Sequence, residues 1–250
     1  MKNLRKYNTL MGILHLLQGL LVLTLSNSFK LPINSSFVQY NIVTNRLMPV
    51  LNKVAELPIG PMVALFLFLS ATAHFILCLP AIYPWYTRNL EKGINYARWY
   101  EYAFSASLMI ILIALLVGIY DLGALILMFG LNAMMILLGL MMELHNQTTK
   151  KTNWTSYIFS CIAGIIPWIV IALYLFNAGD ADHKAPTFVY WIFFTIFLFF
   201  NSFAINMYLQ YKKVGKWKDY LWGEKMYILL SLIAKSALAW QVFAGTLRPV

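Results

Sequence analysis

Seven stretches of this chain, near residues 8–26, 59–82, 96–118, 122–143, 155–177, 186–210 and 222–246, are apolar for long enough to cross about 30 Å of hydrocarbon as helices. A helix satisfies its backbone hydrogen bonds internally, which hydrocarbon demands. The pattern therefore predicts an all-α membrane protein, a bundle of seven transmembrane helices forming one domain over residues 1–250. Composition agrees: 11% of residues are charged, where a soluble domain carries about 25%. The basic head before the first run is followed by no A-x-A-like cleavage site, so that run is read as a retained helix. Cys78 and Cys161 lie inside apolar runs, where they act as small hydrophobes and offer no metal or disulfide framework.

A net charge of +10 would point to nucleic acid in a soluble protein; here its placement reports topology, and no nucleic-acid partner is expected. Of 19 Lys and Arg, 13 lie at the N-terminus and in the even-numbered loops: Lys2, Arg5, Lys6, Arg88, Lys92, Arg98, Lys150, Lys151, Lys212, Lys213, Lys216, Lys218 and Lys225. Five lie on the other side, and the last is Lys235. The positive-inside rule then places the N-terminus in the cytoplasm and the C-terminus outside, as for an integral protein of the plasma membrane. The first loop, about 27–58, is the only long connection, and "SSFVQYNIV" within it has strand composition, so a short β-hairpin is expected there, outside the cell.

Lys235 stands in "SLIAKSALAW", within the seventh span. A central lysine costs roughly 2.5–3.5 kcal/mol on insertion scales, so it needs a partner. Eight of the nine acids, including Glu143 and Glu224, fall in expected loops or helix ends, which leaves Glu101 in the third span as that partner. Two readings of the pair are open. One is a salt bridge locking two helices. In the other, a desolvated lysine is nucleophilic and condenses with an aldehyde, and the carboxylate is counterion to the resulting Schiff base. Ser231 one turn before Lys235, with Ala234, Ala237 and Ala239 around it, leaves room for a ligand; Ser105 and Met109 continue the Glu101 face.

The segments "HLLQ", "ALFLFLSATAHF", "RWYEYAFSASLMI", "FGLNAMMILLG", "CIAGIIPWI", "LFLFFNSFA" and "YILLSLIAKSALAWQVFAGTL" are similar, span by span, to the heliorhodopsins, a branch of the microbial-type rhodopsins with inverted topology. The resemblance implies all-trans retinal bound covalently to Lys235, Glu101 as sole counterion, and a homodimer. It implies that His15 and His74 join Ser105 and Ser231 in a polar network beside the Schiff base. It also implies a retinal pocket drawn from Met109, Asn132, Met135, Gly139, Trp168, Phe200, Asn201 and Trp240. Without the resemblance, a lone intramembrane histidine is more often a helix–helix hydrogen-bonding group, and a glycine such as Gly139 is better read as close packing.

The expected function is light sensing: retinal isomerises, the Schiff-base proton leaves to the region of Glu101, His15 and His74, and it returns from the same side in a slow cycle. Leu112 stands where pumping rhodopsins carry a second carboxylate, which disfavours outward pumping. A light-gated ion or proton channel on the same chromophore is the first alternative, and a non-photoactive proton-coupled transporter the second. No enzymatic motif stands out, and the chain is read as no enzyme. The loop "YKKVGKWKDY" is a candidate surface for a cytoplasmic signalling protein or anionic lipid, beside its plain role in fixing topology.

Overall fold

The computed structural model describes residues 2–177, 179 and 184–248; the loop acids Asp180 and Asp182 lie outside the described residues. In chain order the elements are α1 (Lys2–Leu25), β1 (Lys30–Asn41), β2 (Arg46–Pro58), α2 (Ile59–Cys78), α3 (Tyr83–Glu91), α4 (Tyr96–Leu116), α5 (Leu122–His145), α6 (Thr155–Phe176), α7 (Thr187–Tyr211) and α8 (Tyr220–Val242). A single π turn, Phe243–Leu247, ends α8. Among the described residues, seven of these helices, all but α3, are long and apolar enough to cross a membrane.

Local chemistry sets the ends. The side chains of Asn95, Asp121 and Asp219 accept backbone N–H groups at the starts of α4, α5 and α8, satisfying donors that the first turn leaves free. Helix α2 stops at Cys78, four residues before the expected boundary, because Leu79 precedes Pro80 and is held extended (ψ 139°). Helix α4 closes on Gly118 at φ 91°, where Gly118 and Ile119 donate N–H groups to the carbonyls of Leu115 and Ala114. The nine-residue α3, which was not anticipated, is too short for a periodic signal and lies in the second connection.

The first loop holds more structure than expected. Its strands have 12 and 13 residues and pair antiparallel from Lys30 opposite Pro58 to Asn41 opposite Arg46. Pro32, Pro49 and Pro58 obscure this in the sequence, yet each strand of a two-stranded ribbon has a free edge where a missing N–H costs no pairing. The Asn34 N–H joins the hairpin to the carbonyl of Tyr120, and the Asn27 N–H reaches that of Leu247, so the α4–α5 turn and the end of α8 share this hairpin end of the bundle. At the opposite, lysine-rich end lie the start of α1, α3 and the turn from Lys212 to Lys218.

Helix α4 runs through the bundle centre: Ile110, Ile111, Leu112, Ile113, Ala114 and Leu115 are buried in succession, whichever way they face. With Val63, Phe66 and Leu67 of α2 and Leu238, Ala239 and Val242 of α8 they make an apolar block filling the hairpin half.

Candidate functional site

Helices α2, α4 and α8 meet around one amine. Nζ of Lys235 lies 2.9 Å from Oε1 of Glu101, and donates to Ser70 Oγ at 2.6 Å and Ser231 Oγ at 3.0 Å. Ser70 in turn donates to Glu101 Oε1 at 2.7 Å, and the Tyr102 ring lies 5.0 Å below the ammonium. All three ammonium hydrogens thus have oxygen partners in a buried place. Lys235 is 3% exposed, and Ser105, one turn beyond Glu101, is fully buried on the same face of α4.

Behind the amine lies a cavity walled by α4 to α8, in which Lys235 is the one charged residue among the described lining residues. Of the residues named for a pocket, Met109, Met135, Gly139, Trp168, Phe200 and Asn201 line it, and Ser231, named for the polar network, lines it as well. Trp168 is held edge-on by Phe193, Phe197 and Phe200, with centroids 5.2–5.7 Å apart. Two expected wall residues stand elsewhere. Asn132 is buried but turned to α4, its amide donating to Ser107 at 3.1 Å, and Trp240 faces α1, its indole donating to Gln18 at 3.0 Å. Trp99, Tyr102 and Tyr227 occupy wall positions that the sequence reading left out.

The polar groups extend from the amine in one direction. His74 lies one turn from Ser70 along α2, toward the lysine-rich end, and its ring stacks on that of His15 at 5.7 Å. Beyond it, Nδ1 of His74 is 2.8 Å from Oδ1 of the buried Asn8. Toward the hairpin end the amine meets the apolar block instead.

A second buried charge cluster corrects the sequence reading. Glu143 and Glu224, expected at helix ends, and Arg98, expected in a loop, are all inside: Arg98 forms ion pairs with both carboxylates. Glu143 also accepts from the Asn95 N–H (2.9 Å), the Trp99 indole (2.7 Å) and the Tyr220 hydroxyl (3.1 Å). The guanidinium lies against the rings of both Trp99 and Tyr227, 4.4 and 3.9 Å from their centroids, and these two rings meet edge-to-face. Helical phase carried the signal: Arg98 is one turn before Glu101, Glu143 one turn beyond Gly139, and Glu224 three turns before Lys235, so all three share faces with interior residues. Asn8 and Ser70 carried none, being small polar residues of ordinary kind in apolar helices.

A comparison with functionally curated proteins finds no match. The family model for heliorhodopsins matches residues 4–247, which is nearly the whole chain, and with seven apolar helices around a buried lysine–carboxylate pair the chain belongs to the heliorhodopsin family.

Proposed function

We propose that this rhodopsin-type photoreceptor holds all-trans retinal on Lys235, with Glu101 as counterion, and runs a light cycle without net ion transport. The observation that carries this is the one-sided arrangement of proton-holding groups: Glu101, His74 and His15, linked with Ser70, Ser231 and Asn8, lie at the amine or toward the lysine-rich end, while toward the hairpin end stand the apolar block and only neutral polar groups such as Ser105, Asn132 and Gln18.

The cavity suits the cofactor. Its lining is largely apolar and aromatic, it presents one amine, and its wall is flush at two glycines: a Cβ on Gly139 would run into the Trp99 ring, and one on Gly164 would come within 2.5 Å of the Met135 sulfur. When bound, retinal supplies light absorption and a change of shape that the protein itself lacks. Met109, Met135, Trp168 and Phe200 then orient it and exclude water, while Glu101, steadied by Ser70, balances the positive charge at the Lys235 nitrogen. A proton leaving that nitrogen has acceptors within a turn or two at Glu101, His74 and His15, and can return by the same route. A transported proton would have to cross the apolar block, where Leu112 and its neighbours cannot hold it.

The skewed distribution of lysines supports an orientation with the N-terminus in the cytoplasm. A long-lived altered form gives a cytoplasmic partner time to respond, and the Lys212–Lys218 turn is the surface for it. A homodimer belongs to the same reading.

The test is the visible spectrum of the protein expressed with all-trans retinal, beside Lys235→Ala and Glu101→Gln. The expected result is a visible band that is lost in the alanine variant and moved to longer wavelength, or stripped of its protonated form, in the glutamine variant. A folded wild type without a band would return the pair to a salt bridge or transport site. A light-driven pH change in a cell suspension would overturn the cycle without transport, and a photocurrent whose sign follows voltage would replace it by a channel.

A further inference from the structure

We propose that Asn8 is a positioning residue for His74, holding the imidazole in the tautomer with hydrogen on Nδ1, so that Nε2 is the atom left to take a proton from the Lys235–Glu101 pair. The proposal rests on the reading of His74 as part of the proton network beside Lys235, and adds to it which atom acts and what selects it.

The argument is one of donors and acceptors. Asn8 is 1% exposed, so its amide is withdrawn from bulk solvent and takes its partners from the residues around it. Its Nδ2 donates to the Leu4 carbonyl at 3.0 Å. A carbonyl only accepts, so the NH2 half of the amide must face Leu4. The amide oxygen is thereby turned to His74, 2.8 Å from Nδ1. That oxygen also only accepts, so Nδ1 must supply the hydrogen, and in a neutral imidazole the other nitrogen is then bare.

His15 provides the contrast. Its ring lies nearly parallel to that of His74, at 15°, yet among the described residues neither of its nitrogens has a hydrogen-bond partner. Of the two stacked rings, only His74 has its tautomer selected by the fold. The charged or titratable groups around His74 are Glu101 on α4, Lys235 on α8 and His15 on α1, with Tyr86 on α3 near Asn8. In the step itself an N–H bond at the Lys235 nitrogen breaks, one forms at His74 Nε2, and the positive charge moves onto the imidazole. The Nδ1–H bond to Asn8 persists throughout and strengthens once its donor is charged.

The test is nitrogen NMR on protein carrying 15N-histidine, with and without retinal, the His74 signals being assigned by their loss in His74→Ala. The expected result is a protonated Nδ1 and a bare Nε2 in the wild type, retained in Asn8→Asp, which still accepts, and lost to a tautomer mixture in Asn8→Leu. In the retinal-loaded protein, proton departure after a flash is expected to slow several-fold in Asn8→Leu and to be restored toward wild type in Asn8→Asp. A wild-type His74 with its hydrogen on Nε2, or a tautomer indifferent to Asn8→Leu, would overturn the role of Asn8 and leave His74 in the network. Unchanged proton departure in His74→Ala would remove His74 from the network and overturn the proposal from the other side.

Discussion

Trp99 and Glu143 couple the cavity to the buried charge cluster: the indole N–H donates to the carboxylate at 2.7 Å, while the six-membered ring of the same side chain lies against Gly139 in the cavity wall. A change of shape in the cavity therefore presses on a residue that also holds an ion pair joining α4, α5 and α8.

Gly139→Ala tests that coupling. The added Cβ cannot coexist with the present Trp99 ring, so the ring must shift into the cavity or pull away from Glu143. The expected outcome is a displaced visible band together with a lower unfolding temperature, of the size of an overpacked core, about 1–3 kcal/mol. Spectrum and thermal scan of the same sample check it, and an unaltered spectrum with unaltered stability would show that the wall is soft.

Removing one partner of the buried cluster should be costly. Glu143→Ala leaves the Arg98 guanidinium short of one carboxylate, and the Trp99 indole, Tyr220 hydroxyl and Asn95 N–H without their acceptor. Breaking such a pair costs about 3–5 kcal/mol, enough to prevent accumulation of a marginal membrane protein. Glu56→Ala in the hairpin, whose ion pair with Lys53 is solvent-exposed, should change little by comparison. Folded yield and unfolding temperature of the two variants, measured side by side, decide this.

Ser70 touches both members of the central pair, so Ser70→Ala removes one acceptor from Lys235 and one donor from Glu101. The expected result is a retained visible band at an altered wavelength, with a stability loss of about 1–3 kcal/mol. Loss of the band altogether would mean that the hydroxyl is needed for attachment and not merely for tuning.

Tyr86 on α3 supplies a dependence on pH. Burial pushes its phenol from an ordinary value of 10.0 up to about 12. In the unfolded chain the phenol ionises first, so stability falls as pH rises above about 10 and stops falling from this source above about 12, a loss of roughly 2–3 kcal/mol. Tyr86→Phe removes that share, and its thermal midpoint should decline less steeply than that of the wild type between those two pH values.

The sequence by itself determined the number of spans, the place of the hairpin, and the pairing of Lys235 with Glu101. Each is a one-dimensional property: hydropathy over a helix length reports the transfer free energy of that segment, and one lysine and one acid left inside apolar runs have few ways to be accommodated. Even the lysine asymmetry that separates the two ends of the bundle needed no coordinates. What tertiary structure decided is which residues face one another. Glu143 and Glu224 lie where an exposed helix end and a buried one read alike, and only the meeting of α4, α5 and α8 around Arg98 puts them inside. Trp240 and Asn132 had the right helices but the wrong phase for the cavity, while Trp99 and Tyr227 had the right one. Asn8 has meaning only because α1 packs against α2 at the level of His74. Rotation and depth of a helix come from the sum of its packing contacts with its neighbours, and no local stretch of sequence contains that sum.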